Sequence, residues 1–527
     1  MVNTANQPSY STIPLLNNDI EPIAVSTRRR SKLSRVLTAT VLFAIGSVLV
    51  VAIVAQVTRS KPAARQRNVI LMISDGFGPA SETYARQYHM WREQLPPSFM
   101  LPLDHIHVGQ SRTQSSSSLI TDSAAGATVD PQKRPCGTVL ESAKIRHGML
   151  TGLVATSRIT HATPAAFSAH VAWRNEENEI AEQQIGYNPL GRTVDLMFGG
   201  GICEFLPNTT ENSCREDNRD LFAEAKEHFG WTVKLSRDEF DAFNPNDVSL
   251  PLMALFAPSH MKYELDRDPT TQPSLKDMTE KALITLNSAS QKNGKGFFLM
   301  VEGSRIDMAS HSYASKIMAS HFTHTDMWLL IYSNDPATHF YDIWEYQQTI
   351  NSVLKFVEDH PDTVLISTSD HETGGLTIGR QVTDEYPEYK WEPEVISRVR
   401  NSSEVLARAW DAAEQDQVDY LVDEIIGKGL GISDPSDKEI DKLVTWKKTS
   451  KDVLALEYIL GDMVSRRAEI GWTTHGHTAV DVNLYAFGKG TKRLRGSHEN
   501  TDINEFIVDY LDLDLGQATG ELNRKLP

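Results

Sequence analysis

From Asn68 onward, short apolar runs alternate with longer helix-like stretches. NVILMISDG (68–76), GLVATS (152–157), LMALFA (252–257), FFLMVEG (297–303) and TVLIST (363–368) are apolar almost throughout rather than at every second position. Gly, Asp or Ser bounds them. Such runs predict strands buried on both faces of a parallel sheet. Stretches such as 274–290 and 340–359 read as helices between them. Strands alternating with helices predict an α/β fold whose central, mostly parallel sheet is covered on both faces. A further strand, NLYAFG (483–488), comes late in the chain. Residues 380–450 read as a charged peripheral region and 58–67 as a short basic stalk.

One apolar run is of another kind. Val36 to Val57, VLTATVLFAIGSVLVVAIVAQV, holds 22 residues without a charge. At about 1.5 Å per residue it spans roughly 30 Å of hydrocarbon. It exceeds the apolar core of a cleavable signal and lacks a clear small-x-small cleavage site after it. It is expected to be a transmembrane signal anchor, with the 1–35 tail cytosolic and the remainder lumenal.

The charge balance agrees with that division. The 527 residues carry 69 acidic and 52 basic side chains, a net charge of −17. Residues 1–35 contribute +3 and the rest −20. An acidic chain lacks the basic face that nucleic-acid binding needs, so no nucleic-acid partner is expected. Cys203 and Cys214 flank a short loop that a disulfide could close, and Cys136 is left over. Asn208 and Asn401 lie in glycosylation sequons, which makes a glycoprotein the expectation on the lumenal side.

The predicted strands end in metal-type chemistry. The first ends at Asp75 in MISDGFGP. The run at 297–303 leads into Glu302, Asp307 and His311 in VEGSRIDMASH. The run at 363–368 leads into Asp370 and His371, and WTTHGHTAVDV supplies His475 and His477 before the last strand. In open α/β sheets ligands bind outside the carboxyl ends of the strands. Several buried carboxylates in one place repel one another unless cations compensate them. Carboxylates mixed with imidazoles suit zinc, and oxygen donors alone suit magnesium. In SSSSLITDSAAGAT (115–128), Ser123 precedes an Ala-rich helix-forming run, a suitable place for a nucleophile facing phosphate.

With these segments, and with THATPAAFSAHVAWR between them, the chain resembles the alkaline phosphatases, and closely the fungal, membrane-anchored vacuolar type. The resemblance implies a three-layer α/β sandwich with a catalytic domain over 68–515 and a C-terminal tail at 516–527. It implies hydrolysis of small phosphate monoesters through a phosphoserine, with broad specificity and an alkaline optimum. Position by position, Ser123 is similar to the phosphorylated nucleophile and Arg174 to the phosphate-clamping arginine. Asp307, His311 and His477 would hold one zinc ion, and Asp75, Asp370 and His371 a second. Asp75, Thr163 and Glu302 would hold magnesium. His477 fits the family spacing better than His475, and His161 stands where eukaryotic members also have a histidine. A type II protein of the vacuolar membrane, and a homodimer, are further implications. A phosphodiesterase or sulfatase of the same superfamily is the alternative, and Ser123 within TDSAAGAT argues against it.

Two departures from the family pattern flank the expected site. After TDSAAGAT, Thr128 runs directly into Val129-Asp130-Pro131, where the family continues the helix for roughly a dozen residues. A helix ends before an Asp-Pro pair, so Ser123 would sit on a stub. After His311-Ser312 the chain carries an extra segment, 313–333, before NDPATHFYD. Its His321, His324 and Asp326 resemble a metal cluster only superficially. The flanks match on both sides of each departure, which points to a skipped coding piece and a short intron read through. A chain truly built as written is expected to have weak or no activity, a membrane-anchored glycoprotein that binds phosphate or metal without turnover.

Overall fold

A computed structural model describes residues 66–115, 118–122, 134–311, 333–414, 417–450 and 452–525. Val36–Val57, Ser123, the junction after Thr128 and all but the last residue of the 313–333 segment lie outside these. Among the described residues no helix is long and apolar enough to cross a membrane.

The strands are β1 (Asn68–Ile73), β2 (His107–Arg112), β3 (Leu150–Arg158), β4 (Leu196–Gly200), β5 (Thr232–Lys234), β6 (Leu252–Leu255), β7 (Phe297–Glu302) and β8 (Thr363–Thr368). They continue as β9 (Glu372–Thr373), β10 (Thr377–Ile378), β11 (Ile470–Gly471), β12 (His477–Thr478), β13 (Val482–Gly488) and β14 (Gly496–Glu499). Each of the five apolar runs forms a strand, as does NLYAFG. Among the described residues ten strands make one sheet, in the order β14-β2-β13-β8-β1-β7-β3-β4-β6-β5. β1 lies parallel between β7 and β8, and β13 is antiparallel to both β8 and β2.

Both faces are covered, and the alternation of side chains shows how. Ile70, Met72, Leu299, Val301 and Leu365 join one apolar core. Their neighbours Val69, Leu71, Phe298, Met300, Val364 and Ile366 join a second. Successive strand residues face opposite sides, so a run that feeds two cores must be apolar throughout. The helices predicted at 274–290 and 340–359 form as Leu275–Asn293 and Pro336–Asp359. Ser274 and Asp277 close a capping box on the first. Asp335 caps the second, with Pro336 in its first turn.

Three segments add detail to the expected domain organisation. The unit that contains the sheet begins at Gln66, two residues inside the expected stalk, and Arg67 donates to the Tyr510 carbonyl at 2.5 Å. Residues 515–525 form a helix. Its Thr519 side chain accepts from Gly137 N at 2.9 Å, so the expected tail docks. The 380–450 region is charged outside but has an apolar interior: Leu406, Trp410, Leu421, Ile425, Ile426 and Leu443 all join the first core. Ile426→Val is expected to cost about 1 kcal/mol in urea unfolding, whereas a change on a solvated surface stays within about 0.5 kcal/mol.

Candidate metal centre and active site

Topology brings the chemistry to one edge. β1, β3, β7 and β8 run parallel, so the residues that follow them emerge on the same side of the sheet. Asp75 follows β1, His161 and Thr163 follow β3, Glu302 ends β7, and Asp370 and His371 follow β8. β13 runs the other way, with Leu484 opposite Thr368, so the chain leading into it starts from that same edge. The short pairing of β9 with β12 sets His477 against Thr373.

Two ligand triads result. Asp75, Asp370 and His371 offer one donor atom each within 4.8 Å of one another, and so do Asp307, His371 and His477. His371 belongs to both. Its Nε2 lies 3.6 Å from Asp75 Oδ1 and 3.4 Å from Asp370 Oδ2. Its ring stacks on that of His477 with centroids 3.4 Å apart. The first triad is the set assigned to the second zinc ion. The other contains Asp307 and His477, two of the three residues expected for the first zinc ion; the ring centroid of the third, His311, is 4.9 Å from that of His477. His311 still lines the cluster, since its charge acts on Asp307.

Close approach at the centre depends on a glycine. Gly76 sits at φ +75°, and a Cβ there would come within 2.7 Å of Asp307 Oδ1. Gly76 N also donates to Asp370 Oδ1 at 3.3 Å. Here the DG of MISDGFGP provides the left-handed turn that only glycine adopts without strain.

The imidazoles are oriented by their acceptors. His311 Nδ1 donates to the His475 carbonyl at 3.0 Å, and His477 Nδ1 to the Thr121 carbonyl at 2.7 Å. A carbonyl only accepts, so each Nδ1 carries the proton and each Nε2 keeps its lone pair for a ligand. His475 turns its own ring to the Asn334 side-chain oxygen, so of the two late histidines only His477 joins a triad.

The electrostatics favour a cation. Burial pushes the Asp75 carboxyl well above the usual range, and Asp370, Asp307 and Glu302 push it further. Glu302 is pushed up to about 7, mainly by burial, despite hydrogen bonds from Ser304 and Ser157. Burial also acts on Asp307, but the charges of His311, His477 and His371 outweigh it and hold that carboxyl below its usual value. Burial lowers His311 and His371. Thr163 Oγ1, Glu302 Oε1, Asp370 Oδ2 and His477 Nε2 are buried with no hydrogen-bond partner. Buried polar atoms are normally satisfied, and divalent ions would complete these. The donor set therefore fits metal.

Further residues gather beside it. Arg174 donates to both carboxylate oxygens of Asp122, at 2.6 and 2.7 Å, and its other terminal nitrogen lies 3.3 Å from His161 Nε2. Burial, then Arg174 and Arg158, hold the His161 imidazole well below its usual value, so it is neutral. Thr121 and Asp122 thus bring the chain that immediately precedes Ser123 against His477 and Arg174. Thr121, Asp122 and Thr373 were not anticipated from sequence. For Thr373 the signal was present: it lies two residues after His371, on the same side of an extended segment. Cys203, Glu204 and Cys214 also cluster, but a disulfide joins the two sulfurs, which removes the thiolates a metal would need.

Mixed carboxylate and imidazole donors at the carboxyl edge of a parallel sheet define a metal-dependent hydrolase type of site. The profile of the alkaline phosphatase family matches residues 66–326 and 331–513. The chain is 44% identical to an alkaline phosphatase of Schizosaccharomyces pombe, over 88% of this chain and 84% of that one. It is 41% identical to the repressible alkaline phosphatase of Saccharomyces cerevisiae, over 93% of this chain and 90% of that one. Among solved structures, the alkaline phosphatase of Thermus thermophilus superposes with a TM-score of 0.67 at 26% identity, covering 88% of this chain and 96% of that one. The chain belongs to the alkaline phosphatase family, whose members are metal-dependent enzymes that act on phosphate monoesters.

Proposed function

We propose that this chain hydrolyses a broad range of small phosphate monoesters through a phosphoserine on Ser123, with an alkaline optimum. The observation that carries the reading is the gathering of Asp75, Asp307, Asp370, His371 and His477 at one edge of the sheet. Two zinc ions there, and one magnesium ion at Asp75, Thr163 and Glu302, would supply electrostatic stabilisation to the attacking and leaving oxygens of an in-line displacement. Arg174 would hold two phosphoryl oxygens with its guanidinium fork, exchanging the Asp122 carboxylate for them. Ser123 Oγ would form the bond to phosphorus as the alcohol leaves, and water would then cleave the phosphoserine. Contacts confined to the phosphoryl group leave the rest of the substrate unread, which supports broad specificity. We further propose a type II glycoprotein of the vacuolar membrane, anchored by Val36–Val57, with a lumenal catalytic domain that dimerises. Support for the anchor is the uncharged 22-residue run.

The test compares hydrolysis of a phosphomonoester, a phosphodiester and a sulfate ester with zinc and magnesium present, against a Ser123→Ala control. Monoester turnover that vanishes in the control supports the proposal, and turnover retained by the control ends the phosphoserine reading. A second reading, ligand binding without turnover, is favoured by the two departures beside the site. Peptide mass spectrometry of the native protein distinguishes them. A peptide across Thr128-Val129, or one from within 313–333, establishes the departures as real and favours the inactive reading.

A further inference from the structure

The two triads share an imidazole, and a hydroxyl also joins them. Thr373 Oγ1 lies 2.5 Å from Asp307 Oδ1 and 3.1 Å from His371 Nδ1. Thr373 and His371 are fully buried. The direction of both bonds follows from chemistry. A carboxylate that binds a metal does so ionised, and an ionised carboxylate only accepts. The threonine hydroxyl therefore donates its one proton to Asp307. Its oxygen can then only accept from the ring, so His371 Nδ1 carries a proton and His371 Nε2 is the lone-pair nitrogen. That nitrogen faces Asp75 and Asp370.

We propose that Thr373 is a positioning residue for both metal sites: one hydroxyl fixes the tautomer of His371 in one triad and the rotamer of Asp307 in the other. The inference rests on the metal-binding reading of the site and adds a residue that is not itself a ligand. The local backbone makes the placement rigid. Thr373 lies in β9, pinned by pairing to β12, which carries His477. The preceding residue, Glu372, points the other way. It accepts from Gly375 N at 3.3 Å, from Leu376 N at 3.4 Å and from the Thr478 hydroxyl. Thr373 thus has a fixed strand behind it and two ligands in front. Groups that orient a ligating histidine or carboxylate typically change metal affinity by about 10–100-fold when removed.

The experiment is a zinc competition titration with a chromophoric chelator, on the full chain, for wild type, Thr373→Val and Thr373→Ser. Valine keeps the shape and deletes the hydroxyl, and serine keeps the hydroxyl. The expected result is a 10–100-fold loss of zinc affinity in Thr373→Val, with Thr373→Ser within about threefold of wild type. The visible spectrum of the cobalt-loaded proteins gives a second readout, altered in the valine variant and restored in the serine variant. Wild-type affinity in Thr373→Val overturns the proposal. So does an equal loss in both variants, because it assigns the effect to packing. A wild-type chain that binds no zinc overturns the metal reading itself, and this outcome is distinct from the other two. Should Thr373→Val not fold, the serine variant and the cobalt spectrum of Thr373→Ala decide, the spectrum being unchanged if the hydroxyl has no role.

Discussion

His371→Ala is expected to lower kcat/KM for a phosphomonoester by about a thousandfold or more, an effect of ~4 kcal/mol. The reason is its place in the cluster. His371 Nε2, its lone-pair nitrogen, faces Asp75 and Asp370, so the substitution removes the one imidazole of that triad. The ring also fills space, being wholly buried and stacked on His477, so its loss frees the second imidazole as well. Zinc content by elemental analysis should fall together with activity, and this readout holds even for a chain with little turnover. A His371→Ala protein that keeps its zinc and loses less than tenfold in kcat/KM contradicts its assignment as a ligand.

The metal-free protein is expected to lose thermal stability between pH 5 and pH 8, and the metal-loaded protein to keep it. The sign follows from Glu302 and Asp75, whose carboxyls are raised in the folded state. Such a group favours folding fully below its unfolded value. The benefit is lost as pH rises through the folded value, because ionisation is then easier in the unfolded chain. For Glu302 that window runs from 4.5 to about 7, on the order of 3 kcal/mol. Asp75 adds in the same direction. Asp307 is shifted the other way, so its contribution is lost only in acid, below the range tested. Bound cations favour the ionised carboxylates and cancel the loss. The measurement is Tm against pH with and without a chelator. Equal stability of the metal-free protein at pH 5 and pH 8 would show that protein groups already neutralise the cluster.

The contrast between β1 and β2 shows what could be read from sequence. β1 is legible because its residues feed two cores, which demands a continuous apolar run. β2, HVGQSR, is not, since only Ser111 of the six is buried. It is held by backbone pairing to β13 and β14, which leaves no mark on side-chain pattern. β4 and β5 escaped for related reasons: one is Leu-Met-Phe followed by glycines, the other three half-buried residues. At the site, residue types and spacing pointed to Asp75, Glu302, Asp307, Asp370 and His371 as donors. A linear reading could not show how closely His371 packs against His477, which arises from folding. The Asp122 partner of Arg174 was hidden for the same reason, lying 52 positions away. Trp410 and its neighbours were masked by the charge around them, because an insert can bury a few apolar faces while its average composition stays polar.

The place of β1 in the sheet also bears on timing during synthesis. It is the first strand made, yet it sits between β7 and β8, with Val69 opposite Phe298 and Val364. Neither partner exists when it leaves the ribosome. At about 5–20 residues per second, the wait for β7 is on the order of ten seconds or more, during which an apolar segment has both edges unpaired. Loop-closure entropy makes such distant pairing slow even afterwards. The nascent chain is therefore expected to expose Asn68–Ile73 until β7 and β8 have been made, and any fragment ending before His477 would lack a donor beside Asp307.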